Sequence, residues 1–426
     1  MSETIRQLQV LRTLSDGSKI QVGELASDKM GKIYFGYDNA YVEGYPSLSP
    51  FKVELNTNPQ STTDSTHNGL YGVFGDSLPD GWGHLLMDRK FRQEGYQLAD
   101  ITPLDRLAYM GSHTMGALTY APETLSKHPE TVLSLHEFGK KAISVHEGSN
   151  QEVIDNIAQA GGSPGGARPK ALIGFDGETI TTDPDNNLPK WLIKFGSSKL
   201  LLKHEEGLVE SIYMTMAKES GCTVPEFHLF DNAFGTKWLA MKRFDVNQES
   251  NNALGRYHMH SICGLLDADF SMPSLDYEDL IKATHALTKR PADAIELFRR
   301  MIFNLLSANC DDHSKNFAFI QNDEGKWRLS PYYDVCYTPL IHTEQTTSLK
   351  GYGNTVPSKT ILELGRLAGL QNKGQIKAIV CQIAEVLSTF NVKAKNIGLS
   401  KETQTMISKT LTSVANREKA LIAAFK

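Results

Sequence analysis

The chain lacks any cysteine framework. Its five cysteines, Cys222, Cys263, Cys310, Cys336 and Cys381, are scattered over 426 residues with no C-x-x-C pair. An odd, patternless set excludes a disulfide scaffold and a zinc ribbon. Long apolar runs are also missing: none reaches the ~20 residues that a membrane helix needs. The first ten residues, MSETIRQLQV, have no apolar stretch of the secretory kind. An excess of positive charge is missing, with a net of −5, so the surface as a whole is not a nucleic-acid footprint. Internal repeats and low-complexity tracts are absent. These absences leave a cytoplasmic, bacterial-type enzyme without membrane contact as the simplest expectation. A composition of 40% hydrophobic and 22% charged residues suits a folded globular chain. The length implies two or more subdomains.

What is present concentrates in Asn309-Cys310-Asp311-Asp312-His313-Ser314-Lys315-Asn316 and Tyr332-Tyr333-Asp334. Asp311 and Asn316 stand five apart, the spacing by which a kinase loop places a catalytic Asp and a metal-binding Asn. Asp334 sits where a second metal carboxylate would follow. One hard anion and one neutral oxygen suit Mg²⁺, which prefers oxygen ligands and keeps several waters. Asp311 suits the orientation of an incoming hydroxyl. Lys315 would bring positive charge to a transferred phosphoryl, and His313 would hold the loop. The plain alternative is an Asp/Asn-rich turn closing a helix.

The order of weaker signals along the chain supports phosphoryl transfer. Residues 161–170, GGSPGGARPK, cannot form a regular element interior. Such a loop lets backbone N–H groups approach phosphate oxygens, although it has neither the P-loop pattern nor G-x-G-x-x-G. Lys194 interrupts the apolar strand Trp191–Phe195, where an unpaired ammonium would be costly. Glu210, on a helix spanning 205–219, is its expected partner. Glu205 and Glu206 read as a solvated first turn of that helix. Trp82 and His84 read as core or interface residues, and Arg256, His258 and His260 as incidental neighbours of the cleft. Strands are expected near Tyr34–Tyr37, Phe51–Leu55 and Leu239–Phe244, with a turn at Asp16–Gly17. Residues 74–111 read as helical, and 121–160 as a weak strand and two helices. A helix over 291–308 with an apolar stripe delivers Asp311, and a hairpin follows at 317–329. Residues 360–426 read as helices, whose Lys393, Lys395 and Lys401 are solvated charges.

These stretches resemble the HipA family of bacterial toxin kinases. The resemblance rests on GGSPGGARPK (161–170), WLIKF (191–195), MKRFD (241–245), NCDDHSKNF (309–317), PYYD (331–334) and GDSLPDGWG (75–83). It implies an α+β, protein-kinase-like bilobal fold with a small N-terminal β-rich subdomain and a mainly helical C-terminal lobe. The expected divisions are 1–120, 121–245 with the glycine-rich loop, and 246–426 with the catalytic loop. The implied activity is an ATP- and Mg²⁺-dependent Ser/Thr kinase toxin that phosphorylates a translation component, typically an aminoacyl-tRNA synthetase. The implied partner is a helix-turn-helix, HipB-like antitoxin, with DNA reached only through it. By the same resemblance Asp311 is catalytic, Asn316 and Asp334 hold metal, and Ser163 is autophosphorylated. Gly165, Gly166, Ala167, Arg168, Pro169 and Lys170 form the phosphate loop. Lys194 with Glu210, Lys242, Arg243 and Phe244, and His313, Lys315 and Tyr333 complete the nucleotide set. Family hinges typically carry Glu where this chain has Lys242. A co-repressor scaffold and a small-molecule kinase remain as alternatives.

Overall fold

The computed structural model describes residues 4–124, 133–148, 157, 166–182, 186–232, 234–248, 254–338 and 344–425. Near the N-terminus, four antiparallel strands pair in the order Ile33–Tyr37, Lys19–Ser27, Gln7–Thr13, Leu118–Ala121. Two-residue alternation sends Leu8 and Val10 into a core with Val22, Leu25 and Phe35. The Asp16–Gly17 turn is present: Leu14 N–H reaches Ser18 O at 2.8 Å, and Gly17 takes φ +86°. The segment Phe51–Leu55, expected as a strand, is instead a turn. Lys52 and Val53 both donate to Ser49 O, and the Gln60 side chain receives Glu54 N–H at 2.9 Å. Local side-chain bonds satisfy this backbone in place of a ladder.

A five-stranded antiparallel sheet follows, ordered Ile180–Thr181, Lys170–Phe175, Lys190–Lys194, Lys237–Lys242, Phe227–Asp231. The strand expected over 239–244 therefore starts earlier and stops at Lys242. Trp191, Ile193 and Phe195 pack with Phe138 and Ala142 of the helix Leu135–Glu147. On the opposite face, Leu239 and Met241 pack against the helix Glu206–Glu219. Much of the expected second helix in 121–160 lies outside the described residues.

The C-terminal half is mainly helical. Pro291 starts a helix to Ser307, where a missing N–H costs nothing. Ala294, Leu297, Phe298, Met301 and Ile302 form its buried stripe, packed against the helices Tyr277–Thr288 and Lys373–Ser388. Ala308 ends it at φ +60°, turning the chain into the Asn309–Asn316 segment. The hairpin Ala318–Gln321/Trp327–Leu329 gains a third strand, His258–Ser261. The helices from Ser358 to Phe425 complete the lobe. Among the described residues, no helix is long and apolar enough to cross a membrane.

That third strand gives the histidines structural partners. His260 belongs to a buried polar seam joining the N-terminal half to the C-terminal lobe. Its Nδ1 lies 2.7 Å from Asp76 Oδ2, and its Nε2 lies 2.9 Å from Ser49 Oγ. His258 Nε2 donates to Leu48 O at 2.8 Å, while Arg256 Nη2 donates to Ser112 O at 3.2 Å. Asp76 also accepts from Ser261 N at 2.7 Å and from Ser261 Oγ. Fully buried Arg12 reaches Gln321 Oε1 and Asn322 O, both at 3.1 Å. Small residues let the two halves approach: a Cβ on Gly72 would stand 2.1 Å from Gly264 O. Replacing Asp76 by Ala strands the seam's donors, and chemical denaturation should show a loss of about 3–5 kcal/mol.

Candidate functional site

Strand alternation puts Lys194 on the face turned to the helix Glu206–Glu219, one turn of which brings Glu210 opposite. Lys194 Nζ lies 2.6 Å from Glu210 Oε1 and 2.5 Å from Asp334 Oδ1. Arg168 Nη2 takes the other oxygen, Glu210 Oε2, at 2.6 Å and stands 3.8 Å from Asp334 Oδ1. The Glu210 side chain has no exposure and that of Lys194 only 5%. Burial opposes the charge on Lys194, but Asp334 and Glu210 hold its pKa above the ordinary lysine value. Burial likewise opposes the charge on Asp334, yet Lys194, Lys170 and Arg168 keep its carboxyl far below the usual range. Burial and the neighbouring Lys194 and Arg168 charges push Lys170 down to about 8. Lys194, Lys170 and Arg168 thus converge on Asp334, while Lys194 and Arg168 share Glu210.

The loop after Ala308 is held from several sides. Asn309 Nδ2 donates to Asn304 Oδ1 at 2.8 Å, and Asp311 N donates to Thr338 Oγ1 at 3.2 Å. Asn316 Nδ2 donates to the Asp311 carbonyl at 2.5 Å, which leaves Oδ1 as its remaining acceptor. Tyr333 OH donates to Lys315 O at 2.6 Å, and its ring stacks on Phe244 with centroids 5.6 Å apart. The adjacent aspartates face opposite ways. The Asp311 side chain is 63% exposed, with Oδ1 3.7 Å from His313 Nε2. Asp312 is buried, accepting from Tyr277 OH at 2.6 Å and Thr346 N at 2.8 Å, and burial pushes its carboxyl up to about 7. The sequence reading did not single out Asp312; its only signal was a second acid beside the first.

One cavity of about 640 Å³ brings Gly166, Ala167, Arg168, Lys170 and Lys194 together with Asp311, His313, Lys315, Asn316, Tyr333 and Asp334. Lys242, Arg243 and Phe244 also line it. The Lys242 and Arg243 N–H groups, however, are engaged in the sheet, donating to Glu226 O and Lys190 O at 2.8 and 2.9 Å. The Lys242 ammonium pairs with Glu226, and the Arg243 guanidinium is buried on Asp245. The Phe244 ring is therefore the readier contact for a flat base. Glu210 stands behind the cavity wall, and Pro169 O is engaged by Phe195 N at 2.8 Å. Gly165 and Ser163 lie outside the described residues.

Several expectations need correction. Glu206 is buried, lines the cavity, and has neither carboxylate oxygen hydrogen-bonded. It is no solvated first turn, because the helix N-terminus packs inward. Glu205 caps another helix by accepting from Ser400 N at 2.8 Å. Trp82 is core, but His84 is exposed beside Asp88. Lys393 pairs with Glu219 at 2.6 Å. Asp80, unremarked as a ligand in the sequence, also lines the cavity.

Among the described residues, no three His, Cys, Asp or Glu side chains gather as a metal cage. The donor set at Asp334 and Asn316 still fits Mg²⁺, which needs few protein oxygens when phosphates and water supply the rest.

The HipA-like C-terminal domain family matches residues 162–411, and the HipA N-terminal domain family matches residues 17–121. Two proteins of Sinorhizobium fredii that carry kinase in their names are similar. Y4mE is 25% identical over 334 residues, 74% of this chain and 75% of the relative. Y4dM is 28% identical over 234 residues, 50% of this chain and 54% of the relative. A chain of the Shewanella oneidensis MR-1 HipA, HipB and operator DNA complex aligns with a TM-score of 0.69. That alignment covers 96% of this chain and 97% of the other at 19% identity, a likeness of fold.

Removing Glu210 would leave Lys194 and Arg168 buried against Asp334 alone. Glu210→Ala should lower stability by about 3–5 kcal/mol in urea titrations at neutral pH, and Glu210→Gln by less.

Proposed function

Since the chain belongs to the HipA family, both of whose domains match it, we propose that it is an ATP- and Mg²⁺-dependent Ser/Thr protein kinase of the toxin type. The observation that carries this reading is a single cavity holding Lys194, anchored by Glu210, together with Asp311, Asn316 and Asp334. A nucleotide's phosphates would lie between Lys170 and Lys194, with the base toward Phe244. Asp334 and Asn316 Oδ1 would hold Mg²⁺, which neutralises phosphate charge when bound. Asp311, open to the cleft, would accept a hydrogen bond from the attacking hydroxyl and orient it. Lys315 would steady charge on the transferred group.

The same proposal extends to regulation and partners. Ser163 in the glycine-rich loop would be the self-phosphorylated residue. The protein substrate would be a translation component, with an aminoacyl-tRNA synthetase as the first candidate. A helix-turn-helix antitoxin would be the partner, as the HipB-containing complex of the structural relative suggests, with DNA reached only through it.

Intact-mass spectrometry with Mg·ATP tests the core claim. The unmodified chain should gain one phosphate, mapped to Ser163. Asp311→Asn should slow the gain by about 10²–10⁴-fold without loss of fold. Equal phosphate on both proteins would remove Asp311 from its role. Nucleotide affinity should also depend on pH. Without nucleotide, Lys170 loses its proton near pH 8, whereas a neighbouring phosphate favours the charged form. Binding then takes up a proton above that pH. Affinity should fall about three- to tenfold from about pH 7 to about pH 9, and Lys170→Met should flatten the profile in calorimetric titrations.

A further inference from the structure

Asp80 precedes the helix Gly81–Gln93, where an aspartate ordinarily caps the first N–H groups. Here its side chain makes no capping bond. Both oxygens are instead directed across the cleft. Oδ1 accepts the Gly166 N–H, at the end of the glycine-rich loop, and Oδ2 accepts Lys315 Nζ at 2.9 Å. The backbone around it reinforces this orientation. Trp82 N donates to Gly166 O at 2.9 Å, and Trp82 Nε1 donates to Lys170 O at 3.1 Å. Gly81 has φ +44°, and a Cβ there would stand 2.6 Å from Gly166 O, so only glycine permits the approach.

Lys315 is fixed from the other side as well. Its carbonyl receives Tyr333 OH, and its ammonium lies 4.3 Å from the centroid of the Phe270 ring. Burial opposes a charge on Asp80, but Lys315, the Gly166 N–H and Lys170 hold its carboxyl below the ordinary value. A carboxylate thus ties the phosphate-loop side of the cavity to the catalytic-loop side. It comes from residues matched to the N-terminal domain.

Resting on the kinase reading, we infer that Asp80 is a positioning residue for phosphoryl transfer. It sets the Lys315 ammonium and the end of the glycine-rich loop at a fixed separation, so the N-terminal half contributes directly to the active site. Asp80 would act through the Lys315 ammonium and the Gly166 N–H that it holds.

The test is a double-mutant cycle on the full chain with Asp80→Asn, Lys315→Met and both together, reading kcat, the nucleotide KM and the thermal midpoint. Asparagine keeps an oxygen for the Gly166 N–H but loses the ion pair. Asp80→Asn should lower kcat about ten- to a hundredfold, the scale of a misplaced catalytic group, with KM changed less than about twofold. The double variant should be no slower than Lys315→Met alone, because the two residues act as a unit. Asp80→Glu should recover part of the rate. Multiplicative losses, a loss confined to KM, or a rate that merely follows the thermal midpoint would overturn the role. If the unmodified chain transfers phosphate and Asp80→Asn does so equally fast, this inference alone fails. A chain that transfers none removes the kinase reading, and this inference with it.

Discussion

At the centre of the protein, two cations share one fully buried glutamate. Lys194 and Arg168 each take one oxygen of Glu210, and both also lean on Asp334. A buried charge without partners costs several kcal/mol, so these four residues tolerate few alternative arrangements. Lys194 belongs to the five-stranded sheet, Glu210 to the helix beneath it, Arg168 to the end of the glycine-rich loop, and Asp334 to the C-terminal lobe. Docking those elements in one geometry is the condition for satisfying the charges. The same condition sets the shape of the cavity above them.

The network also crowds its cations: Lys170, Lys194 and Arg168 all converge on Asp334. Burial, with the charges of Lys194 and Arg168 beside it, lowers the pKa of Lys170. A polyanion would relieve the crowding, and a divalent cation at Asp334 would compete with Lys194 for the same oxygen. Asp334 is ion-paired by the protein's own side chains.

The N-terminal half reaches this cavity through Asp80. A seam of buried polar groups, Arg12 on Gln321 and Asp76 on His260 and Ser261, binds it to the C-terminal lobe. Hydrogen bonds of this kind are directional, so the seam fixes register where apolar packing alone would permit sliding. Asp80 stands four residues beyond Asp76 and inherits that register. Its reach to both Gly166 and Lys315 depends on the seam holding.

Much of the site was legible in the chain because its chemistry is local. Asp311 and Asn316 lie in one short loop, so their spacing already implies a shared cleft. Lys194 within an apolar strand announced a need for an acid, and Glu210 on the helix that follows was its expected partner. Asp16–Gly17 and the Pro291 helix were readable for the same reason, as each is set by its own backbone. What tertiary structure decided involves partners far apart in sequence. No local pattern shows that Glu210 answers two cations, that Glu206 packs inward unpaired, or that Asp312 is a buried anchor while Asp311 is open. The strand His258–Ser261 exists because a hairpin sixty residues later offers it a ladder. Asp80 reads as an ordinary helix cap until the folded chain brings Gly166 and Lys315 to it. Short-range sterics and hydrogen bonding are written residue by residue, whereas the pairing of buried charges is settled only when distant segments exclude water together.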